Sequence, residues 1–464
     1  MRGSAHIFAT GSRGSTLLVA LVTVATLSFA AGTFIVAITA RSRVAFQSAS
    51  WHQASLAADS AANLAIAEIR RVLPESVSLP ADRWSGWTSS TGTLPVSRTL
   101  DPGTVLSFTP PPLVSVDGSV PAQSGSVLLD APVVDAGRQW LRIRARGTSM
   151  VPGGRQVSPH KLDNRLRRLA FLSQPGPQVT RTVELMVRPV LPFEAAVLTG
   201  AGIDISSATS LVDSFDSSDA SASTSGEYDS LKRRSRGSLY TNSASFTFAG
   251  ELYGAVGTNG GTVAPSSSLR GTIDNGFFQH LPPVSLPSEI AELRSSPPGF
   301  KKLVGGTLTA PKRYRLTELA GDVMISGDNQ PGAVEIWIEG NLTGSLKVDA
   351  TVKATIYVGG NVHVNALDLD NRSRRAANLQ IYGLPAPSGQ TRSIEITLGR
   401  DIHAAIYAPT HSLRLTGNGA FMGSLVTQSI EATARAEIHF DEALARCAAP
   451  IIDYCVASWV ENVQ

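Results

Sequence analysis

AVEIWIEGNLTGSLKVDATVKATIYVGGNVHVNAL, residues 333–367, decides how the larger part of this 464-residue chain folds. Val334, Ile336 and Ile338 alternate along it, and Gly340-Asn341 then supplies a turn. A period of two is the mark of a strand with one buried face. Leu342, Leu346, Val348, Val352, Ile356, Val358, Val362 and Val364 carry the even spacing onward. Each run is too short to bury a core by itself, so the runs must stack on one another. Short strands with Gly and Asn at the corners predict a β-solenoid, or β-helix. A β-sandwich uses similar strands and stands as the alternative.

The same texture extends outward from Ala196 to Arg446. It is present in AVLTGAGIDISSATSLVDSFDSSD (196–219) and in IHAAIYAPTHSLRLTGNGAFMGSLVTQSIEATARAEIHF (402–440). Its one clear break is proline-rich, around PPVSLPSEIAELRSSPPGF, and predicts a loop insertion near 275–317. Upstream, residues 75–195 hold three strand-like segments: SVLLDAPVV (126–134), QWLRIRARGT (139–148) and TRTVELMVRPVL (180–191). In the second of them Leu141, Ile143 and Ala145 share one face, and Arg142, Arg144 and Arg146 the other. These segments predict a small α+β or β module. The basic stretch HKLDNRLRRLAFL (160–172) between two of them reads as a solvated connection, because no stacking aromatics interleave it.

The N-terminus is different again. Ser15 to Ala40 contains no charge over 26 residues, preceded by Arg2 and Arg13 and followed by Arg41 and Arg43. As a helix this run spans ~39 Å, against ~30 Å for a bilayer's hydrocarbon core. A cleaved secretory signal has an apolar region of only ~7–15 residues, so the segment is expected to remain as a transmembrane anchor. VAFQSASWHQASLAADSAANLAIAEIRRVL follows with no Gly or Pro before Pro74, so one helix is predicted over residues 15–73. Leu56, Ala57, Ala61, Leu64, Ala65 and Ile69 fall at helical spacing as a packing face.

A basic leader (1–14), a glycine, an immediate apolar span and a continuing Ala-rich helix resemble type IV pilins and pseudopilins. RGSTLLVALV with SLAADSAANLAIAEIR is most similar to the N-terminal region of PilX-type minor pilins. VDSFDSSD (212–219), IYAPTHSLRLTGNGAFMGSLVTQSI (406–430) and AEIHFDEAL (436–444) resemble a β-helical domain found after such N-termini. The resemblance implies cleavage by a prepilin peptidase between Gly14 and Ser15. It implies as partners other pilin-like subunits and the inner membrane, with a periplasmic or extracellular body. At the fifth mature position, where major pilins carry a glutamate, this chain has Val19. The missing carboxylate removes one contact to a neighbouring subunit, which suits a tip or initiating position better than a repeating one.

Composition adds limits. A net charge of +3 without a long basic run gives no electrostatic case for nucleic acid. No G-x-S-x-G, H-E-x-x-H or P-loop motif occurs. Asp213, Asp216 and Asp219, with Asp368 and Asp370, are the acidic candidates for general acid/base work; Asp368 and Asp370 are also weak candidates for a calcium site. Asp and Ser at strand corners more often cap turns. His439 beside Asp441 and Glu442 is a candidate His/carboxylate pair, but Asp441 also fits a helix N-cap. Asn341-Leu342-Thr343 and Asn371-Arg372-Ser373 match the glycosylation triplet. Cys447 and Cys455 can close a local disulfide in an oxidising compartment and remain thiols otherwise; residues 447–464 are expected to cap the solenoid.

The resulting expectation is a structural, non-enzymatic component of a type IV pilus or a secretion-type pseudopilus, needing no cofactor or metal. A membrane-anchored surface protein that binds or cleaves polysaccharide is the alternative. Mass spectrometry of the chain purified from cell envelopes is expected to give Ser15 as the first residue. An intact Met1, or a terminus beyond Ala40, overturns the cleavage reading.

Overall fold

The computed structural model describes residues 13–72, 86–90, 105–110, 124–130, 133–135, 138–150, 178–263, 268–295, 303–328, 330–365, 369–387, 390–432, 434–446 and 452–462. The fold is mainly β, with one long N-terminal helix, a small antiparallel sheet and a large body of parallel strands.

The helix runs unbroken from Arg13 to Val72, 60 residues or ~90 Å. By length and composition it is apolar enough to cross a membrane. Leu18 to Ala49 are exposed, and Thr23, Thr26, Thr33 and Thr39 donate their hydroxyls to carbonyls three or four residues back. Those polar groups are thus satisfied within the helix itself, as an apolar solvent requires.

From Ala54 onward the helix packs on the antiparallel sheet. The strands lie in the order Trp87–Ser89, Leu106–Phe108, Ser124–Leu129, Arg138–Met150, Gln178–Val190 and Asp453–Asn462, with Val133–Asp135 on the end of the fourth. The buried helix face is Ala54, Ala57, Ala58, Ala61, Ala62, Ala65, Ile66, Ile69 and Val72. Leu56 and Leu64, expected on that face, are exposed instead. Alanines face the sheet because the approach is very close. A Cβ on Gly147 would lie 2.1 Å from the Ala54 carbonyl oxygen and 2.3 Å from the Ala58 nitrogen; one on Gly125 would lie 2.9 Å from Ala61 Cβ. Leucine side chains have no room there, so they point away. On the sheet's other side Arg142 grips Glu184 through two bonds of 2.7 and 2.8 Å, and Arg144 meets Asp130 at 2.6 Å. The alternation over residues 141–145 follows the sequence pattern.

Among the described residues the large body comprises a sixteen-stranded sheet and a four-stranded one (Leu303–Thr309, Leu319–Ser326, Leu346–Val348 and Leu369–Asn371), and every pairing between strands in both is parallel. The register stacks like on like. Ile336 pairs with Ile356, Ile356 with Ile381, Ile381 with Ile406, Ile406 with Leu425, and Leu425 with Val197. Val197, Leu239, Val256 and Ile273 prolong the same ladder. Burying each such side chain contributes ~1.5–3 kcal/mol. At the corners, Asn341 Oδ1 accepts from the Asn361 amide and Asn361 Oδ1 from the Ser393 amide, at 2.8 and 2.9 Å.

Stacking order is not chain order. Val197–Ile205 sits mid-stack, and the chain steps outward through Leu239–Thr241 and Val256–Gly257 to Ile273–Asp274. Residues 275–295 then lead back along the aromatic side. Phe277 stacks on Tyr240 (4.5 Å), Asn242 and Gln279 exchange two hydrogen bonds, Tyr407 donates to the Pro282 carbonyl (2.8 Å), and Arg315 donates to the Leu293 carbonyl (3.3 Å). Strands resume at Leu303 at the opposite end and wind inward until Leu425–Ala432 pairs with Val197–Ile205 and Glu437–Asp441 with Leu211–Phe215. The insertion expected near 275–317 is therefore shorter, since Leu303–Thr309 and Lys312–Leu316 are strands of the stack.

Because the body begins and ends mid-stack, its two connections leave side by side. Gln178–Val190 and Asp453–Asn462 pair antiparallel, so the whole body is inserted between the last two strands of the small sheet. Residues 453–462 are thus an edge strand of that sheet and not the cap expected for 447–464. Arg70 of the helix fastens this junction, meeting Asp453 at 2.9 Å and donating to the Tyr454 carbonyl at 2.9 Å. Cys455 is a half-buried free thiol whose pKa is raised by burial; its expected partner Cys447 lies outside the described residues.

Gly147→Val is expected to lower the unfolding free energy by about 2 kcal/mol or more, since helix backbone fills the space its side chain needs. Thermal melts of the full chain in detergent check this; an unchanged melting temperature means the helix does not dock there.

Candidate functional site

The two acidic motifs singled out in the sequence, VDSFDSSD and HFDEAL, face each other across the point where the body closes. Strand register sets His439 opposite Asp213, Phe440 opposite Ser214 and Asp441 opposite Phe215. His439 Nδ1 lies 2.5 Å from Asp213 Oδ1, and the Tyr228 hydroxyl donates to Asp213 Oδ2 at 2.6 Å. The Tyr228 ring lies on the imidazole with centroids 3.7 Å apart, and Phe215 meets Tyr228 edge-on at 5.8 Å. Burial, then the bond to Asp213, pushes the Tyr228 phenol far above its usual range. His439 is only 2% exposed and Asp213 not at all, so a substrate has no path to this pair.

The flanking acids are used in the same way. Asp441 accepts from the Ser217 amide (3.0 Å) and hydroxyl (2.7 Å) and from the Ala443 amide (3.1 Å). Burial nevertheless outweighs those bonds and raises its pKa. Glu442 accepts from Ser214 at 2.9 Å and lies 3.6 Å from both Arg234 and Arg236. For Asp216 burial opposes ionisation, but bonds from Arg446 and Ser218 prevail and lower its pKa. Asp219 accepts from the Ser221 amide and hydroxyl and from Arg234. Asp216, Asp219 and Asp441 therefore cap turns, while Asp213 and Glu442 tie strands. The seam joins residues more than 220 positions apart with charge-assisted bonds that a dry interior strengthens.

Beside the seam lies an open polar cleft of about 460 Å³. Its floor holds Asn371, His403, Met422 and Tyr228; its rim holds Arg372, Arg374 and Arg400 with Glu227, Asp370 and Asp401. Asp370 is held between Arg400 (3.6 Å) and Arg372 (3.8 Å), while Asp368 lies outside the described residues. Arg374 bridges to Glu227 at 2.5 Å. Asn371 is saturated: its amide donates to the Arg375 and His403 carbonyls, and its oxygen accepts from Ser373. It is therefore a corner residue and not an open glycosylation acceptor. Burial lowers the His403 pKa to about 4, leaving it neutral at neutral pH. Among the described residues, no group of three or more His, Cys, Asp or Glu is arranged to hold a metal ion. Sequence reasoning missed Tyr228 and His403, because neither lies in a motif and both reach the site through the stacking order.

A family model described as a domain of unknown function (DUF7305) matches residues 287–447, from the return segment to the close of the body. Among solved structures, the chain is similar to the competence-associated pilin ComZ from Thermus thermophilus, at 11% identity and a TM-score of 0.23, over 89% of this chain and 98% of that one. A superposition that loose carries neither a fold nor a role. No curated protein matches the chain.

Asp213→Ala leaves the Tyr228 hydroxyl and the His439 ring without their shared acceptor. A loss of about 3 kcal/mol in body stability is expected. Asp370→Asn, on the cleft rim, is expected to stay within about 0.5 kcal/mol of the parent. Denaturant titration of both variants checks the contrast, and equal stabilities sink the seam's structural role.

Proposed function

We propose that this chain is a PilX-like minor pilin or pseudopilin, seated at the tip or initiating position of a type IV or secretion-type filament, and that its parallel body is a β-solenoid. The observation that carries the reading is the long helix. Its first part is a bare apolar rod, and its last turns are docked through alanines onto an antiparallel sheet. An anchor serving only to tether needs a membrane span, whereas this helix continues as one rod into the folded module. Exposed Phe46, Trp51, Leu56 and Leu64 leave apolar surface beyond the span for neighbouring helices.

In this reading a prepilin peptidase cuts between Gly14 and Ser15, and the subunit waits in the inner membrane with its body outside. Val19 in place of the glutamate suits a position that no further subunit must enter above. The role is structural and not enzymatic. The buried His439–Asp213 pair supports this, because it is spent on closing the body.

Deleting the gene is expected to reduce the number of surface filaments while leaving the length of those that form. Immunogold labelling of sheared filaments against the body is expected to mark ends. Uniform labelling along the shaft overturns the tip position, and normal filament numbers without the chain overturn membership.

A further inference from the structure

The cleft beside the seam is built differently from the seam itself. Its polar lining is open to solvent, and its three arginines are balanced by three carboxylates on the same rim. A balanced rim gives no net field to concentrate a polyanion. Nor does a lining dominated by charged and polar groups suit an apolar molecule, which needs hydrophobic walls. What remains is a ligand that both donates and accepts hydrogen bonds at many points without carrying charge.

The floor matches that demand. A neutral imidazole offers one donor and one acceptor, the complement of a hydroxyl group. His403 presents such a ring half-buried in the cleft, whose lining also includes the buried side chain of Met422 and the half-buried Tyr228. Methionine and tyrosine give a small apolar patch against which the C–H face of a ring can rest. Around it the guanidinium forks and carboxylates supply fixed donors and acceptors. Asp370 sits 3.6 and 3.8 Å from its two arginines, beyond direct hydrogen-bonding distance, so its oxygens can accept from a hydroxyl placed beside them. The volume, about 460 Å³, falls within the ~300–1,000 Å³ of small-ligand sites.

We infer that this cleft binds a neutral saccharide unit, with its hydroxyls on His403 and the Arg/Asp rim and its ring over Met422 and Tyr228. The inference is independent of filament membership. In a filament-borne subunit it makes the body a carbohydrate-recognising surface; in a tethered one it does the same at the membrane.

The test uses the full chain in lipid nanodiscs, since sugar-headed detergents would compete. Saturation-transfer NMR and calorimetry are run with glucose, galactose, mannose and N-acetylglucosamine, and with galacturonate and pyrophosphate as charged comparisons. At least one neutral sugar is expected to bind with a Kd of about 1 mM or tighter. His403→Phe, which keeps a planar ring without its nitrogens, is expected to weaken binding at least about tenfold. Arg372→Ala on the exposed rim gives a second reading if the buried substitution disturbs folding, and thermal melts monitor both. No binding by any neutral sugar, undiminished binding in both variants, or preference for pyrophosphate each overturns the assignment.

Discussion

Parallel pairing of residues 425–441 with residues 197–215 is the contact on which the rest of the body depends. Without it the stack divides into two shorter stacks, each with a raw strand edge facing the other across the middle. Unpaired edges of that kind invite pairing with other chains. The aliphatic ladder passes through this junction without interruption, and the charged seam lies one strand away from it. Burial supplies most of the energy here, and the polar bonds set the register. A one-residue slip would turn Leu425 and Ile430 outward and separate His439 from Asp213.

The sequence made part of this legible. Even spacing of Val, Ile and Leu through 334–364 marked strands with a buried face, and Gly340-Asn341 marked a corner, because both signals are local. Stacking order is not local. Nothing in VLTGAGIDI shows that its neighbours are residues 239–248 and 425–432, and the last residues looked like a cap. The helix shows the converse. Leu56 and Leu64 read as core by hydrophobicity, yet sterics at Gly147 and Gly125 reserve the interface for alanine. Size overruled greasiness there.

The acidic motifs were visible in the sequence, but their chemistry was not. An aspartate in VDSFDSSD and a histidine in HFDEAL form a close pair only because the final strand returns to the first. Once there, burial removes the access that a catalyst needs, and Tyr228 completes the group. The cleft beside it draws on four separate stretches of chain, with most of its charge on an exposed rim. No spacing rule anticipates such a set.

The insertion between Gln178–Val190 and Asp453–Asn462 has a mechanical consequence. Both attachments of the body lie at one point, beside Arg70 of the helix and its bond to Asp453. Tension along the helix therefore enters the antiparallel strands and need not pass through the stacked ladder at all. A pull applied at the cleft reaches the same point through the few neighbouring strands between them. The outer strands on either side carry no load, so the body can be held under strain without being peeled apart from its ends.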